Sequence, residues 1–161
     1  MLVNVVCDKL IKMAGFLADM RDYYDTTIVI PTFNEGDNIK EMIDLLIELY
    51  PNVSVIVSDD GSKDDTQQIV LREGKKNKKI KLLNRGNEAV HGLTVSVVDA
   101  GLIVKTKFFV VIDGDLQHPP EKILEIIEKL RHGNDVVIGA REKVISEWPW
   151  HRKLMSWGAN T

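Results

Sequence analysis

From residue 26 onward the chain alternates between two hydrophobic patterns. Short runs are apolar almost throughout: "TTIVIP" (26–31), "VSVIVS" (53–58), "KIKLLN" (79–84), "FFVVI" (108–112) and "DVVIGA" (135–140). Rich in β-branched and aromatic residues, they read as five strands buried on both faces. Between them the apolar residues recur at helical spacing. In 37–50 Ile39, Met42, Ile43, Leu46 and Leu49 fall on one face. The stretch "SKDDTQQIVL" opens with a Ser62…Asp65 pair that reads as a capping box ahead of a helix. "GLTVSVVDAGLIV" (92–104) reads as a helix, although its valines suit a strand as well, and "PEKILEIIEKLRHG" reads as a helix with Pro120 in its first turn and Gly133 past its end. Upstream, Val3, Val6, Leu10, Met13, Leu17 and Met20 alternate threes and fours, which predicts an amphipathic helix over 2–20. Its charges are mixed in sign, which suits docking on the domain or on a partner chain better than lying on a membrane.

Apolar strands alternating with helices specify an α/β fold, a mostly parallel sheet covered on both faces as a three-layer α/β/α sandwich. The expected divisions are an N-terminal helix over 1–25, one α/β domain over 26–145, and the start of a further, incomplete segment over 146–161. Ligands of such sheets bind beyond the carboxyl ends of the strands. The unusual polar residues lie there: 31–35 ("PTFNE") after the first strand, 59–62 ("DDGS") after the second, 113–115 ("DGD") after the fourth and Arg141 after the fifth.

Composition narrows the partners. With 44% hydrophobic and 28% charged residues and a net charge of −3, the chain is a globular protein without the basic balance of a nucleic-acid binder. Its basic block, "KKNKKIK" (75–81), reads as a solvated helix end and loop. The single cysteine, Cys7, cannot form an internal disulfide, which fits a reducing compartment. No apolar run reaches the ~18 residues of a membrane-spanning helix. Asp8, Lys9 and Lys12 interrupt what would be the core of a signal peptide. The expected location is the cytoplasm, with peripheral contact at the membrane face.

Asp113 and Asp115 flank Gly114, and two carboxylates this close raise each other's pKa unless a cation lies between them. On a flat strand, residues two apart face the same side, so both could reach one ion. Oxygen donors of this kind suit Mg²⁺ or Mn²⁺. Gln117 could add a carbonyl oxygen, and Gly114 would let a phosphate or sugar approach the backbone. A solvated Asp-Gly turn is the plainer alternative. Asp59, nearest the second strand's end, could accept a charge-assisted hydrogen bond from the N–H edge of a base. Asp60 and Ser62 also fit turn and cap roles.

Together "IVIPTFNEGDNI", "VIVSDDGSKDDT", "FVVIDGDLQHPPEKI" and "VVIGAR" resemble family 2 glycosyltransferases, inverting enzymes with the GT-A fold. The match runs from about residue 27 to Arg141, and the "DGDLQHPPE" stretch is most similar to the polyprenyl- and dolichyl-phosphate mannosyl- and glucosyltransferases. The resemblance implies a GT-A domain shortened at its C-terminus. It implies a nucleotide pocket lined by Pro31, Phe33 and Glu35, with Val57 and Asp59 at the base and ribose. Asp113, Gly114, Asp115 and Gln117 would hold metal and sugar diphosphate. Arg141 would contact the donor, and Asp113, Asp115 and Arg141 would carry the catalysis. The implied donor is GDP-mannose or UDP-glucose and the implied acceptor a lipid phosphate, with a homo-oligomer or partner chain completing the C-terminal part.

A lipid phosphate is already ionised near pH 7 and needs no general base, so weak base candidates (Asp115, Glu35 or His118) suit it. Within 84–101 Gly92 and Gly101 remain, but Thr94 and Val95 stand where the family has small residues. Two alternatives are a non-catalytic relic that binds nucleotide or metal, and a phospho-receiver domain. The receiver would need its acidic pair after the first strand, which ends instead in Pro31-Thr32.

Overall fold

The computed structural model describes residues 23–140. The helix expected over 2–20, Arg141 and the segment expected from 146 onward lie outside the described residues. The elements run β1 (Thr26–Thr32), α1 (Ile39–Leu49), β2 (Ser54–Asp59), α2 (Thr66–Lys76), β3 (Ile80–Asn84), α3 (Leu93–Ile103), β4 (Phe108–Val111), a 3₁₀ turn (Pro120–Lys122) and α4 (Ile123–Arg131). The four strands form one parallel sheet in the order β3-β2-β1-β4. Parallel neighbours need crossovers, and the helices supply them.

β1 is the centre of this arrangement because all seven of its residues are buried. It pairs Ile28 with Val55 on one side and with Val110 on the other. One face of the sheet packs Ile28, Ile30, Val55, Val57, Ile80 and Val110 against Ile39, Met42, Ile43 and Leu46 of α1, Val70 of α2, and Ile123 and Ile127 of α4. Each such side chain contributes on the order of 1.5–3 kcal/mol when fully enclosed. Leu49, expected on the same face of α1, is exposed, and Tyr50 takes the buried place after it. The Tyr50 ring meets Tyr23 edge-on at 5.1 Å.

The other face carries α3. Here Val29 and Ile56 of the sheet pack against Ala100. Small residues at Ser96 and Ala100 let α3 sit close, and Ser58 Oγ donates to the Ser96 carbonyl at 2.9 Å. The ambiguity of 92–104 is therefore resolved as a helix. Its valines are tolerated because Val98 points away from the sheet, exposed with Leu102. The result is the three-layer α/β/α architecture.

Two further expectations need correction. Residues 135–140 form no strand: they join no ladder, and Val136 and Ile138 are 76% and 84% exposed. An apolar alternation becomes a strand only when a neighbour pairs with it and covers a face, and β4 is an edge strand among the described residues. The Ser62…Asp65 capping box is also absent. α2 starts at Thr66 without a cap bond from Asp65. Asp64 instead accepts the Thr66 N–H at 3.0 Å, and Ser62 is engaged elsewhere.

Candidate functional site

The connections leaving β1, β2, β3 and β4 meet at one end of the sheet, around a cleft of about 780 Å³. β1 lies between β2 and β4, so chain direction across the sheet reverses there, which is where open α/β sheets take ligands. Pro31, Thr32, Phe33 and Glu35 line it from β1, and Asp60, Gly61 and Lys63 from β2. Gly86, His91, Gly92, Leu93 and Ser96 form the β3–α3 wall, and Asp113, Gly114 and Asp115 come from β4.

The first two loops are laced together. Thr32 Oγ1 donates to Asp59 Oδ2, and the Asp60 N–H donates to the Thr32 carbonyl at 3.0 Å. The Asn34 N–H donates to Ser62 Oγ at 2.8 Å, while the Lys63 N–H donates back to Asn34 Oδ1 at 2.8 Å. Asn34 adopts φ 58°, a left-handed conformation that asparagine tolerates better than most residues. The Glu35 N–H donates to Thr66 Oγ1 at 2.9 Å and the Gly36 N–H to Asp64 Oδ2 at 2.8 Å.

Adjacent aspartates divide the work at the end of β2. Asp59 is fully buried. It accepts the N–H groups of Gly61 and Ser62 at 3.1 and 3.0 Å, the Ser62 and Thr32 hydroxyls, and Gln67 Nε2 at 2.5 Å. Its acceptor capacity is spent on its own loop, the end of β1 and the first turn of α2. Val57, likewise fully buried, belongs to the core. Neither lines the cleft, so the base and ribose contacts expected of their side chains find no exposed partner there. The carboxylate that does line it is Asp60. Its Oδ1 takes the Arg85 guanidinium and lies 3.0 Å from His91 Nδ1, and its Oδ2 accepts the Gly92 N–H at 2.6 Å. Burial pushes the Asp60 carboxyl up, but the Gly92 N–H, His91 and Arg85 outweigh it and hold it below its ordinary value.

Asp113 and Asp115 reach the same cleft, though from a turn beyond β4 rather than from the strand itself. Asp113 is 50% exposed, with His118 Nε2 3.4 Å from its Oδ2. Asp115 Oδ1 accepts the Gln117 N–H at 3.0 Å, and Leu116 between them has φ 58°. The Gln117 side chain is exposed. The acidic turn rests on the end of β1: a Cβ on Gly114 would lie 3.4 Å from the Ile30 and Thr32 side chains and 3.6 Å from Glu35, ordinary contact distances. Among the described residues no group of three His, Cys, Asp or Glu could hold a metal by itself. Two half-open carboxylates are still a fitting donor set for a hard cation that takes its remaining oxygens from a bound ligand.

Arg85, His91, Lys63 and Ser96 were not singled out in the sequence. The signal for Arg85 was there: a lone arginine directly after the strand β3, level with Asp59–Asp60 across the sheet.

Comparison with known proteins agrees with this fold. The family model described as Glycosyl transferase family 2 matches residues 27–159. The chain is 35% identical over 138 residues to a dolichol-phosphate mannosyltransferase of Pyrococcus furiosus, covering 83% of this chain and 38% of that protein. It is 29% identical over 152 residues to a polyprenol monophosphomannose synthase of Mycolicibacterium smegmatis, covering 89% of this chain and 56% of that one. Among solved structures, a mannosyltransferase from Pyrobaculum calidifontis in complex with GDP-Man and Mn²⁺ superimposes with a TM-score of 0.57 at 24% identity, covering 70% of this chain and 33% of that one. Glucosyl-3-phosphoglycerate synthase from Mycobacterium tuberculosis with Mn²⁺, UDP-glucose and glycerol 3-phosphate gives 0.60 at 22%, covering 81% and 49%. The chain thus spans roughly a third to three fifths of the length of the relatives it matches.

Proposed function

Because the chain belongs to glycosyl transferase family 2, we propose that its cleft binds a nucleoside-diphosphate hexose, mannose or glucose, for inverting transfer to a polyprenyl or dolichyl phosphate. One observation carries the reading: the exits of β1, β2 and β4 converge on a single cleft with an acidic pair at its wall and room for a nucleotide sugar. The names of the relatives, mannosyltransferases of dolichol and polyprenol phosphates, support the choice of sugar and acceptor.

Asp113 and Asp115 would hold Mg²⁺ or Mn²⁺, with Gln117 in reach through its loop. When bound, the ion supplies Lewis acidity that neutralises the charge growing on the departing nucleoside diphosphate. The chain's own residues do the rest. Phe33, 59% exposed at the cleft, offers an aromatic surface against base or sugar. Asp60, fixed by its partners, stands where a hydroxyl or ring N–H could donate to it. Pro31 and Thr32 form the floor beside Gly114. Lys63, at the cleft rim, provides a cation toward an anionic ligand. Arg141 keeps the donor-contacting role that the family resemblance implies for it. An acceptor phosphate arrives already ionised, so no residue needs to remove its proton. No described helix is long and apolar enough to cross a membrane, and peripheral contact would bring the lipid acceptor to the cleft.

The experiment is incubation of the chain with labelled GDP-mannose or UDP-glucose, Mn²⁺ and dolichyl phosphate in detergent. A labelled lipid product supports the transferase. Metal-enhanced nucleotide binding without any product would favour a binding domain instead.

A further inference from the structure

Arg85 does not itself line the cleft, yet it holds residues that do. Its side chain is 2% exposed. Nε donates to Asp99 Oδ2 at 2.7 Å, Nη1 to Asp60 Oδ1 and to Ser96 Oγ at 3.1 Å, and Nη2 to the Val90 carbonyl at 2.8 Å. Its own N–H donates to the Asp59 carbonyl at 2.8 Å, anchoring the residue to the end of β2. One planar guanidinium therefore joins three elements: the β2 exit through Asp60, the β3–α3 connection through Val90, and α3 through Ser96 and Asp99.

Resting on the donor reading above, we propose that Arg85 is a positioning residue for nucleotide binding. It sets the direction and charge balance of Asp60 and folds the Gly86–Gly92 wall of the cleft. The cleft already carries Asp113, Asp115 and Glu35, and its proposed ligand is anionic. A further unbalanced carboxylate there would repel that ligand. Arg85 cancels the charge from behind and leaves the carboxylate's accepting edge in place. A lysine cannot do the same, since its ammonium is a point charge without the fixed fork that meets Asp60, Asp99 and Val90 together. Asp99 is the internal control: it holds the same guanidinium but faces away from the ligand, 39% exposed and outside the cleft lining.

The test uses the full chain with GDP and UDP as probes in Mn²⁺, read by calorimetry beside thermal unfolding. R85K and R85Q are expected to bind nucleotide roughly tenfold more weakly or worse, whereas D99N stays within about twofold of the parent. The losses of R85K and D60N are expected not to multiply in the double variant, because Arg85 acts through Asp60. A purely structural role would lower the melting temperatures of R85K and D99N alike and leave both affinities alike. Parent-like affinity in R85K and R85Q, or losses that multiply with D60N, would overturn the assignment, as would failure of both arginine variants to fold. A parent chain that binds neither nucleotide sinks the donor reading, and this inference with it. A parent that binds while the arginine variants bind equally well sinks this inference alone.

Discussion

Tyr50 Oη donates to the Pro120 carbonyl at 2.9 Å and accepts the Leu124 N–H at 3.1 Å, so the end of α1 holds the segment that carries the chain from the acidic turn into α4. The hydroxyl is buried and meets a third backbone group at this 3₁₀-to-α junction, the Glu121 carbonyl at 3.3 Å. Replacing Tyr50 by Phe takes the hydroxyl acceptor from the Leu124 N–H and one donor from the Pro120 carbonyl, which keeps the Ile123 N–H. The expected cost is about 1–3 kcal/mol of unfolding free energy in urea titrations, with the ring packing against Tyr23 retained.

The same residue predicts an alkaline limit. Burial pushes the Tyr50 hydroxyl up to about 12, above its ordinary value near 10. The folded state therefore keeps a proton that the unfolded chain releases first. Its contribution is fully present below pH 10 and is lost as pH rises toward 12. Tyr50→Phe lacks this component, so the gap between parent and variant should narrow over that interval.

On the acid side the sign reverses. The Arg131 guanidinium holds Asp25 low despite some burial, with Thr26 assisting. Burial raises Asp64, but Thr66 and the Gly36 N–H outweigh it, and Lys76 holds Glu73 low. With Asp60 these carboxylates stay ionised in the fold below the pH at which the unfolded chain takes up protons. Their stabilisation is present above about pH 4 and fades as pH falls through the lowered values. Urea midpoints should be flat from neutrality to mild acid and drop below that, and Asp25→Asn should blunt the drop.

Gly36 is a steric prediction. A Cβ there would sit 2.9 Å from Asp64 Oδ2, and that carboxylate cannot yield easily because it also takes the Thr66 N–H and hydroxyl. Gly36→Ala should cost roughly 1–3 kcal/mol in thermal or chemical unfolding. It should also weaken nucleotide binding by shifting Phe33 and Glu35.

Asp113 and Asp115 stand at the surface with few internal partners, so Asp113→Asn and Asp115→Asn should leave the melting temperature nearly unchanged. Both should erase any difference between GDP or UDP binding in Mn²⁺ and in EDTA. A metal effect that survives in both variants would remove the ion from the acidic pair.

The four paired strands were legible because they hold runs such as 28–30, β-branched and apolar throughout. Residues 135–140 carry a similar signal, but a strand also needs a neighbour, which a one-dimensional pattern does not contain. The acidic motifs were legible as well, since a sheet's carboxyl edge gathers whatever follows its strands. The division between Asp59 and Asp60 was not. Successive side chains leave a strand in opposite directions, and the sequence does not say which of two neighbours turns inward. Arg85 was missed for a related reason: its importance lies in reaching Asp60 across a register that only the folded sheet defines.

The lacing of residues 32–36 to residues 59–66 makes two separate motifs behave as one mechanical part. Each loop supplies donors to the other, through Asn34 and Lys63 in both directions and through Gly36 toward Asp64. Engineering that grafts one of these loops from a homologue must transplant its counterpart with it, and natural drift in either is expected to be matched by compensating change in the other.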